Sequence, residues 1–272
     1  MVTRMERRRL PDLFDLTGRH ALVTGGAGHL GRAMARALAE AGASVVIAGR
    51  DLAAAREAAS GLRASGGRAT ALRLDVTNSR SVDRAIRSLD GLDILVNNAY
   101  SPPRLPSRIP PHRARFPEDA DWMGGVDGSL GSVFRLVRAA LPLLRGSGRA
   151  SVINVATMYA IVSPDHGIYR DSGQDNPAYY GAAKAGILQL TRYWARLLGR
   201  ERIRVNAVSP GPFPHPYVGR SQRSFLRRLE AKVPLGRVGV PEELMGAVVF
   251  LAGDASSYVT GHNLVVDGGW TT

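Results

Sequence analysis

The sequence contains no cysteine and no long apolar run. Without cysteine, the chain can form no disulfide and no thiolate metal site, and it has no cysteine nucleophile. No apolar run reaches the ~18 residues that a membrane-spanning helix needs, and the N-terminus lacks the apolar segment of a secretory signal. We therefore expect a soluble, cytoplasmic protein that has no membrane partner and no metal site.

Lysine is nearly absent, so arginine carries almost all of the positive charge. Lys184 and Lys232 are the only lysines among 36 basic residues, and the formal net charge is +13. Composition alone, an anionic substrate, an acidic partner or nucleic acid would each explain this excess. The arginines are spread along the chain, apart from the stretch MERRRL near its start. We therefore expect no nucleic-acid partner.

Short apolar segments alternate with helical patterns along the 272 residues. Seven such segments predict an α/β fold of the Rossmann type, a doubly wound, mainly parallel sheet of seven strands with helices on both faces. We expect a basic tail over residues 1–18 and a single domain over 19–272. Three long loops, at about 101–119, 158–176 and 212–236, are expected to contact the substrate, because ligands bind beyond the C-terminal strand ends.

A glycine-rich turn follows the first predicted strand. Gly26, Gly28 and Gly31 form the pattern G-x-G-x-x-G between this strand and a predicted helix. Glycines let the backbone approach a pyrophosphate, which the free N–H groups of the helix N-terminus can bind. The pattern in this context predicts a nucleotide-binding site.

The end of the second predicted strand bears on the type of cofactor. Arg50 suits the 2′-phosphate of NADP, whereas an acidic residue here would bind the adenosine ribose of NAD. Asp51 is the candidate for that second role, but it is equally a candidate N-cap for the next helix. We favour NADP(H) over NAD(H), with Asp51 and NAD(H) as the alternative.

Two adjacent tyrosines and a lysine occur in the stretch PAYYGAAKAG. Tyr180 and Lys184 are four residues apart on a predicted helix and share a face, whereas Tyr179 points elsewhere. A phenol has a pKa near 10, and a neighbouring ammonium would stabilise the phenolate and lower that pKa. Tyr180 is therefore the candidate general acid/base.

Taken together, the motifs resemble those of the short-chain dehydrogenase/reductase family, and the resemblance extends from about Leu16 to Trp270. The matching motifs are Thr24-Gly25…Gly31, Asp75-Val76, Asn97-Asn98-Ala99, Tyr180…Lys184, Ile203-Arg204-Val205-Asn206, Ser209-Pro210-Gly211 and Val266-Asp267-Gly268-Gly269. Because members are commonly homotetramers, the resemblance implies a homo-oligomer. It also implies that the Tyr180 hydroxyl exchanges the proton, and that Lys184 lowers the pKa of Tyr180 and holds the nicotinamide ribose.

The glycine pattern and the resemblance together define a set of cofactor-binding residues. The set is Gly25, Gly26, Gly28, His29, Leu30, Gly31, Arg50, Asp75, Val76, Asn97, Ala99, Tyr180, Lys184, Pro210 and Gly211. His29 replaces a glycine of many members, and we expect an exposed histidine at the helix start, with a ligand contact as the alternative. The threonine that often follows the Pro-Gly turn is missing, since the chain continues PFPHPYVGR.

Two catalytic positions also depart from the family. Thr157 replaces the family's serine after the fifth strand; its hydroxyl can still bind a substrate oxygen, while its methyl group narrows the site. Ser129 lies where an asparagine often supports a water-linked proton relay, and Asp127 would take that place if the alignment shifts. The catalytic set is therefore Tyr180, Lys184, Thr157 and Ser129.

The resemblance implies an oxidoreductase that interconverts a secondary alcohol and a ketone. Arg104, Arg108, Arg113 and Arg115 could bind a carboxylate or phosphate, which would indicate an anionic or carrier-bound substrate, but a solvated loop would have the same composition. One alternative function is a reaction without net redox, such as epimerisation or dehydration. Another is a non-enzymatic nucleotide-binding module.

Overall fold

The computed structural model of the protein describes residues 9–102, 115–170, 172 and 175–272, with the backbone alone at 219–221. Seven parallel strands form one sheet in the order β3-β2-β1-β4-β5-β6-β7. The strands are β1 His20–Thr24, β2 Ser44–Gly49, β3 Arg68–Arg73, β4 Ile94–Asn97, β5 Ser151–Val155, β6 Arg204–Pro210 and β7 Asn263–Val266. The predicted seven-stranded, doubly wound sheet is confirmed.

Helices connect these strands. The described α-helices are α1 His29–Glu40, α2 Leu52–Ala64, α3 Ser79–Arg87, α4 Asp119–Val126, α5 Ser132–Ser147, α6 Ala178–Leu198, α7 Pro216–Ser221, α8 Arg223–Glu230 and α9 Met245–Ala252. A π-helical turn, Asp127–Gly131, joins α4 to α5. Residues 212–236, which were predicted to form a loop, contain α7 and α8. The signal for α8 is the pair Phe225 and Leu229, which are four residues apart and both buried.

The helices cover both faces of the sheet. One apolar layer packs α1, α2 and α9 against β-strand side chains such as Val23 and Ile47. The other packs α3, α5 and α6 against side chains such as Leu22 and Leu95. Strands that are buried on both faces read as continuous apolar runs, which is why they were recognisable in the sequence. The carboxyl ends of β1 and β4 adjoin where the strand order reverses, and this is where such sheets bind ligands.

The chain joins the folded body before residue 19. Leu16 is fully buried in the first apolar layer, and its backbone N–H donates to the Ala41 carbonyl at 2.7 Å. The tail was expected to extend to residue 18, but it ends earlier because Leu16 already belongs to the folded body. Residues 1–8 lie outside the described residues.

Some of the arginine excess serves the interior. Arg19 is almost fully buried, pairs with Asp254 and donates to the Arg149 carbonyl at 3.2 Å. Arg204 donates to Ser256 Oγ at 2.7 Å. Because a buried guanidinium needs such partners, these arginines stabilise the fold rather than a ligand. Among the described helices, none is both long and apolar enough to cross a bilayer.

Candidate active site

The glycine loop brings α1 unusually close to the ends of β1 and β4. Gly25 has φ +63°, which favours glycine. A Cβ on Gly31 would lie 2.1 Å from the Gly25 carbonyl oxygen and 2.9 Å from Asn98 Nδ2, so no larger residue fits without moving backbone. The first N–H groups of α1, which begins at His29, have no partner within the helix. They can therefore bind a pyrophosphate.

Asn98 fastens the end of β4 to this loop. Its Nδ2 donates to the carbonyls of Thr24 at 2.9 Å and Gly25 at 3.1 Å. Thr24 Oγ1 accepts the backbone N–H groups of Asn98 and Ala99, both at 3.1 Å. Asn98 therefore has a structural role, and it places Ala99 beside the glycine loop.

Asn97 begins a buried chain of polar side chains below the site. Its Nδ2 donates to Asn154 Oδ1 at 2.8 Å, and Asn154 Nδ2 donates to Thr191 Oγ1 at 2.9 Å. Asn97 Oδ1 is buried and has no hydrogen-bond partner. This oxygen remains available as an acceptor at the carboxyl end of β4. Neither Asn154 nor Thr191 was among the site residues predicted from the sequence.

The structure separates the two candidates at the end of β2. Asp51 Oδ1 accepts the Ala54 N–H at 3.0 Å and caps α2. Arg50 is exposed and electrostatically close to Asp75. The carboxylate expected for NAD is thus engaged in capping, whereas the guanidinium faces solvent beside the cofactor cleft.

Asp75 stays ionised after β3. Burial raises its pKa, but hydrogen bonds from Thr77 N at 3.0 Å and Thr77 Oγ1 at 2.7 Å, together with Arg50, outweigh burial and lower the pKa overall. The neighbouring Val76 is buried. Both residues lie at the carboxyl edge of the sheet, next to the end of β2.

The segment after β6 packs over the glycine loop. Pro210 ends β6, and a Cβ on Gly211 would lie 2.5 Å from the Asp267 Cα. The His29 ring stacks obliquely on His215, with centroids 5.0 Å apart. Burial, and then His215, lower the pKa of His29. The expectation of an exposed histidine was wrong, because the 212–217 segment covers it.

Tyr180 and Lys184 share one face of α6, as their spacing predicts. Lys184 Nζ lies 5.9 Å from the centroid of the Tyr180 ring and donates to the Val155 carbonyl at 2.6 Å. The lysine is buried, and burial lowers its pKa to about 8. Its charge therefore titrates near physiological pH.

The Thr157 hydroxyl, at the end of β5, lies close enough to Tyr180 to lower its pKa. Burial raises the pKa of Tyr180, the Thr157 hydroxyl lowers it, and the neighbouring Tyr169 raises it again, with a net increase. In this structure, burial therefore outweighs any lowering by Lys184, and that expected effect of Lys184 stays a prediction.

The π-helical turn distinguishes Ser129 from Asp127. Ser129 is buried and its Oγ has no hydrogen-bond partner. Asp127 pairs with Arg135 and is partly exposed. Single π-helical turns are frequent at functional sites. The unpartnered hydroxyl of Ser129 suits a relay position, whereas Asp127 is engaged at the surface.

A buried carboxylate joins two of the predicted substrate loops. Asp175 Oδ1 lies 2.6 Å from His166 Nδ1, and its Oδ2 accepts from Arg115 Nε at 3.0 Å. The Tyr159 and Tyr169 hydroxyls are 2.8 Å apart. Sequence reasoning missed these contacts because they join residues that are distant along the chain or lack a motif. Three of the loop arginines lie outside the described residues: Arg104, Arg108 and Arg113.

Across the stretches that the structure describes, no group of three or more histidine, aspartate or glutamate side chains could hold a metal ion. The polar groups that converge at the carboxyl edge are instead hydroxyls, an ammonium, amides and free N–H groups. Such groups can bind a dinucleotide and move a proton.

Comparison with known proteins agrees with this arrangement. A family model described as enoyl-(acyl carrier protein) reductase matches residues 25–271. Cis-4-hydroxycyclohexanecarboxylate dehydrogenase from Sinomonas cyclohexanicum is 38% identical over 258 residues, which cover 93% of this chain and 96% of that protein.

Two solved structures are similar over nearly the whole chain. Gluconate 5-dehydrogenase from Burkholderia cenocepacia, in complex with NADP and tartrate, has a TM-score of 0.83 and 32% identity, covering 97% of this chain and 99% of that one. A short-chain type dehydrogenase/reductase from Mycobacterium marinum has a TM-score of 0.82 and 33% identity, with the same coverage. The resemblance in the motifs is thereby confirmed: this chain belongs to the short-chain dehydrogenase/reductase family of oxidoreductases.

Proposed function

We propose that the protein is an NADP(H)-dependent oxidoreductase that interconverts a secondary alcohol and a ketone. One observation carries this proposal: the Thr157 hydroxyl, the Tyr180 hydroxyl and the buried Lys184 ammonium lie together at the end of β5 and the start of α6. Reduction of a ketone needs a proton donor and a hydrogen bond to the developing alkoxide, and this group of residues offers both.

The chemistry follows from these positions. NADPH, when bound, supplies the hydride that the carbonyl carbon receives. Tyr180 gives its phenolic proton to the carbonyl oxygen, which the Thr157 hydroxyl orients by a hydrogen bond. The Lys184 ammonium stabilises the phenolate that remains, since it lies over the same ring. Alcohol oxidation runs through the same steps in reverse.

Ser129 and Asn97 are proposed to complete the route by which Tyr180 regains its proton. Ser129 Oγ and Asn97 Oδ1 are buried polar atoms that lack a protein partner. Such atoms normally have one, and ordered water commonly serves. The π-helical turn that carries Ser129 packs on α6, where Leu130 contacts Gly186 close to Lys184. A water held by these groups would pass protons from solvent to Lys184, and from there to Tyr180.

Preference for NADP(H) over NAD(H) is supported by the end of β2. Asp51 Oδ1 is engaged as the cap of α2, so only the second oxygen of its carboxylate remains for a ribose. The exposed Arg50 guanidinium can pair with a 2′-phosphate. The glycine loop, Asp75, Val76, Ala99, Pro210 and Gly211 are proposed to hold the rest of the cofactor.

We further propose a substrate that carries a carboxylate in addition to its alcohol or ketone group. Hydroxycyclohexanecarboxylate and gluconate appear in the names of the similar proteins, and tartrate is bound in one of them. All three carry both groups. The loops 101–119, 158–176 and 212–236 are proposed to form the substrate side. Among the described arginines of loop 101–119, Arg115, which donates to Asp175, is proposed to bind the substrate carboxylate.

A homo-oligomer, by resemblance a tetramer, is also part of the proposal. Helices α4, α5 and α6 expose large apolar side chains together, among them Met123, Phe134, Tyr193 and Leu197. Such patches commonly mark protein–protein contacts. Light scattering on the purified protein would give the number of chains directly.

A coupled substrate screen tests the proposed reaction. The enzyme, NADPH and a panel of keto-acids are mixed, and NADPH consumption is compared with alcohol formation. Equal amounts of both would support net redox. Conversion of a substrate with no NADPH consumed would favour the epimerase or dehydratase alternative, and the absence of turnover with retained NADPH binding would favour a binding module.

A further inference from the structure

Tyr100 contacts the catalytic tyrosine, yet the proposed chemistry does not use it. It follows the Asn97-Asn98-Ala99 motif at the end of β4. Its ring meets the Tyr180 ring nearly edge to face, with centroids 5.2 Å apart and an interplanar angle of 70°. This is a favoured geometry for aromatic pairs. A side chain from the segment that follows β4 therefore contacts Tyr180, the proposed acid/base on α6.

Tyr179 also interacts with Tyr100. The Tyr100 and Tyr179 hydroxyls lie close enough to affect each other: Tyr179 raises the pKa of Tyr100, and Tyr100 lowers that of Tyr179. Tyr179 itself is 1% exposed, and its ring lies so close to Gly125 of α4 that a Cβ there would be 2.1 Å from Tyr179 Cδ2. Adjacent residues of α6 point apart, but both contact the one side chain of Tyr100.

The backbone around Tyr100 is fixed at both ends. The Ala99 N–H donates to Thr24 Oγ1 at 3.1 Å, and the Ser101 N–H donates to the Gly128 carbonyl at 3.1 Å. A Cβ on Gly128 would lie 1.8 Å from the Ser101 carbonyl oxygen, so this strand end and the π-helical turn are in close contact. Tyr100 therefore has little freedom to move away from Tyr180.

Tyr100 is not itself suited to exchange a proton. Burial raises the pKa of its hydroxyl far above the ordinary value for tyrosine, and Tyr179 and Tyr180 raise it further. The hydroxyl stays neutral throughout the working range of pH. Its contribution has to come from contact and position.

We propose that Tyr100 is a positioning residue for Tyr180, held in place by Tyr179. The Tyr100 ring restricts rotation of the Tyr180 side chain and keeps the Tyr180 hydroxyl turned toward Thr157. It also excludes water from one side of the Tyr180 ring. Small displacements of a reacting group cost large factors in rate, so a fixed ring contact raises the rate without touching the substrate. The inference rests on the proposed role of Tyr180 as acid/base.

Four variants test this proposal: Tyr100→Leu, Tyr100→Phe, Tyr179→Phe and the double phenylalanine variant. Tyr258→Leu, at a fully exposed tyrosine, is the control. Tyr100→Leu should lower kcat by about 10- to 100-fold and leave the Kd for NADPH within about twofold. The limb of the pH–rate profile that reports Tyr180 should move to lower pH, because water then reaches a phenol whose pKa burial had raised. Tyr258→Leu should change none of these.

The two phenylalanine variants test the link through Tyr179 while keeping both rings. Each should lower kcat by about two- to fivefold, and the double variant should be no slower than either single one, because all three remove the same interaction between the two hydroxyls. This cycle decides the question if Tyr100→Leu does not fold. Additive losses would overturn the link.

The proposal also fails if Tyr100→Leu keeps the wild-type kcat and pH profile. This failure is distinct from failure of the proposed function, which Tyr180→Phe measures in parallel. An inactive Tyr180→Phe with a fully active Tyr100→Leu would leave the acid/base assignment intact and reject the positioning role. An active Tyr180→Phe would reject both.

Discussion

The cofactor side and the catalytic side of this site bind and react by different means. On the cofactor side, a glycine loop offers backbone N–H groups, and Gly31 has no room for a side chain. On the catalytic side, Thr157 and Tyr180 come from separate elements and offer hydroxyls. The cofactor side should therefore be sensitive to added side-chain volume, and the catalytic side to the loss of polar groups. Replacement of Thr157 by serine, which keeps a hydroxyl, should therefore be tolerated. Replacement of Gly31 by any larger residue should not be.

Thr157→Val should have the largest effect after loss of Tyr180 itself. Valine keeps the shape of threonine but removes the hydroxyl that is expected to bind the substrate oxygen. Loss of such a donor costs on the order of 100-fold in kcat. Steady-state kinetics with a substrate from the screen measures it, and Thr157→Ser, which restores the family's residue, should stay within about tenfold of wild type. Equal activity of the valine and serine variants would contradict the role of the hydroxyl.

Gly31→Ala tests the cofactor side in the same way. The added methyl would meet the Gly25 carbonyl oxygen, so the backbone must shift, at a cost of about 1–3 kcal/mol. We expect a lower Tm and a Kd for NADPH at least about tenfold higher. Gly61→Ala, in α2 with no atom within 4 Å of the added Cβ, is the control and should be neutral or slightly stabilising. Wild-type affinity in Gly31→Ala would show that the close approach is not needed.

Arg50→Ser should separate the two cofactors. Loss of the pairing with the 2′-phosphate should raise the Kd for NADPH about tenfold, equivalent to about 1.4 kcal/mol, while NADH binding changes little. Fluorescence titration with each nucleotide measures this, and Arg56→Ser, at another exposed arginine of the same region, is the matched control. An equal loss of affinity for both nucleotides would contradict the pairing of Arg50 with the 2′-phosphate. NAD(H) would then be the better candidate again.

The smallest effect is expected from pH. Burial lowers the pKa of Lys184 to about 8, so its ammonium is mostly charged at pH 7 and mostly neutral at pH 9. If the charge helps to hold the cofactor, the Kd for NADPH should rise several-fold across this window. In Lys184→Met the Kd should be higher and nearly independent of pH over the same range. A wild-type Kd that stays constant from pH 7 to pH 9 would argue against a role of this charge in binding.

On both sides, the features that could be predicted from sequence are local ones. Gly25, Gly28 and Gly31 lie within one turn and the start of the helix that follows it, and Tyr180 and Lys184 lie within one helix. Local periodicity suffices for such features. The parallel sheet followed from the alternation of apolar runs and helices, because strands buried on both faces are apolar throughout.

What could not be predicted depends on contacts between distant segments. Tyr100 meets Tyr180 only because β4 ends and α6 begins at the same edge of the sheet. Asp175 meets Arg115 across 60 residues of chain. His29 was expected to be exposed, and it is covered by a segment that follows β6. None of these pairs has a local pattern, so only the assembled fold brings them together.

The most direct test of the central claim is a paired measurement on Tyr180→Phe: its Kd for NADPH by fluorescence titration and its turnover with a substrate from the screen. Phenylalanine keeps the ring that packs against Tyr100 and removes only the hydroxyl. The account predicts a Kd within about twofold of wild type and turnover lowered by at least about 100-fold. Turnover close to that of wild type, with the same Kd, would contradict the assignment of Tyr180 as the group that exchanges the proton.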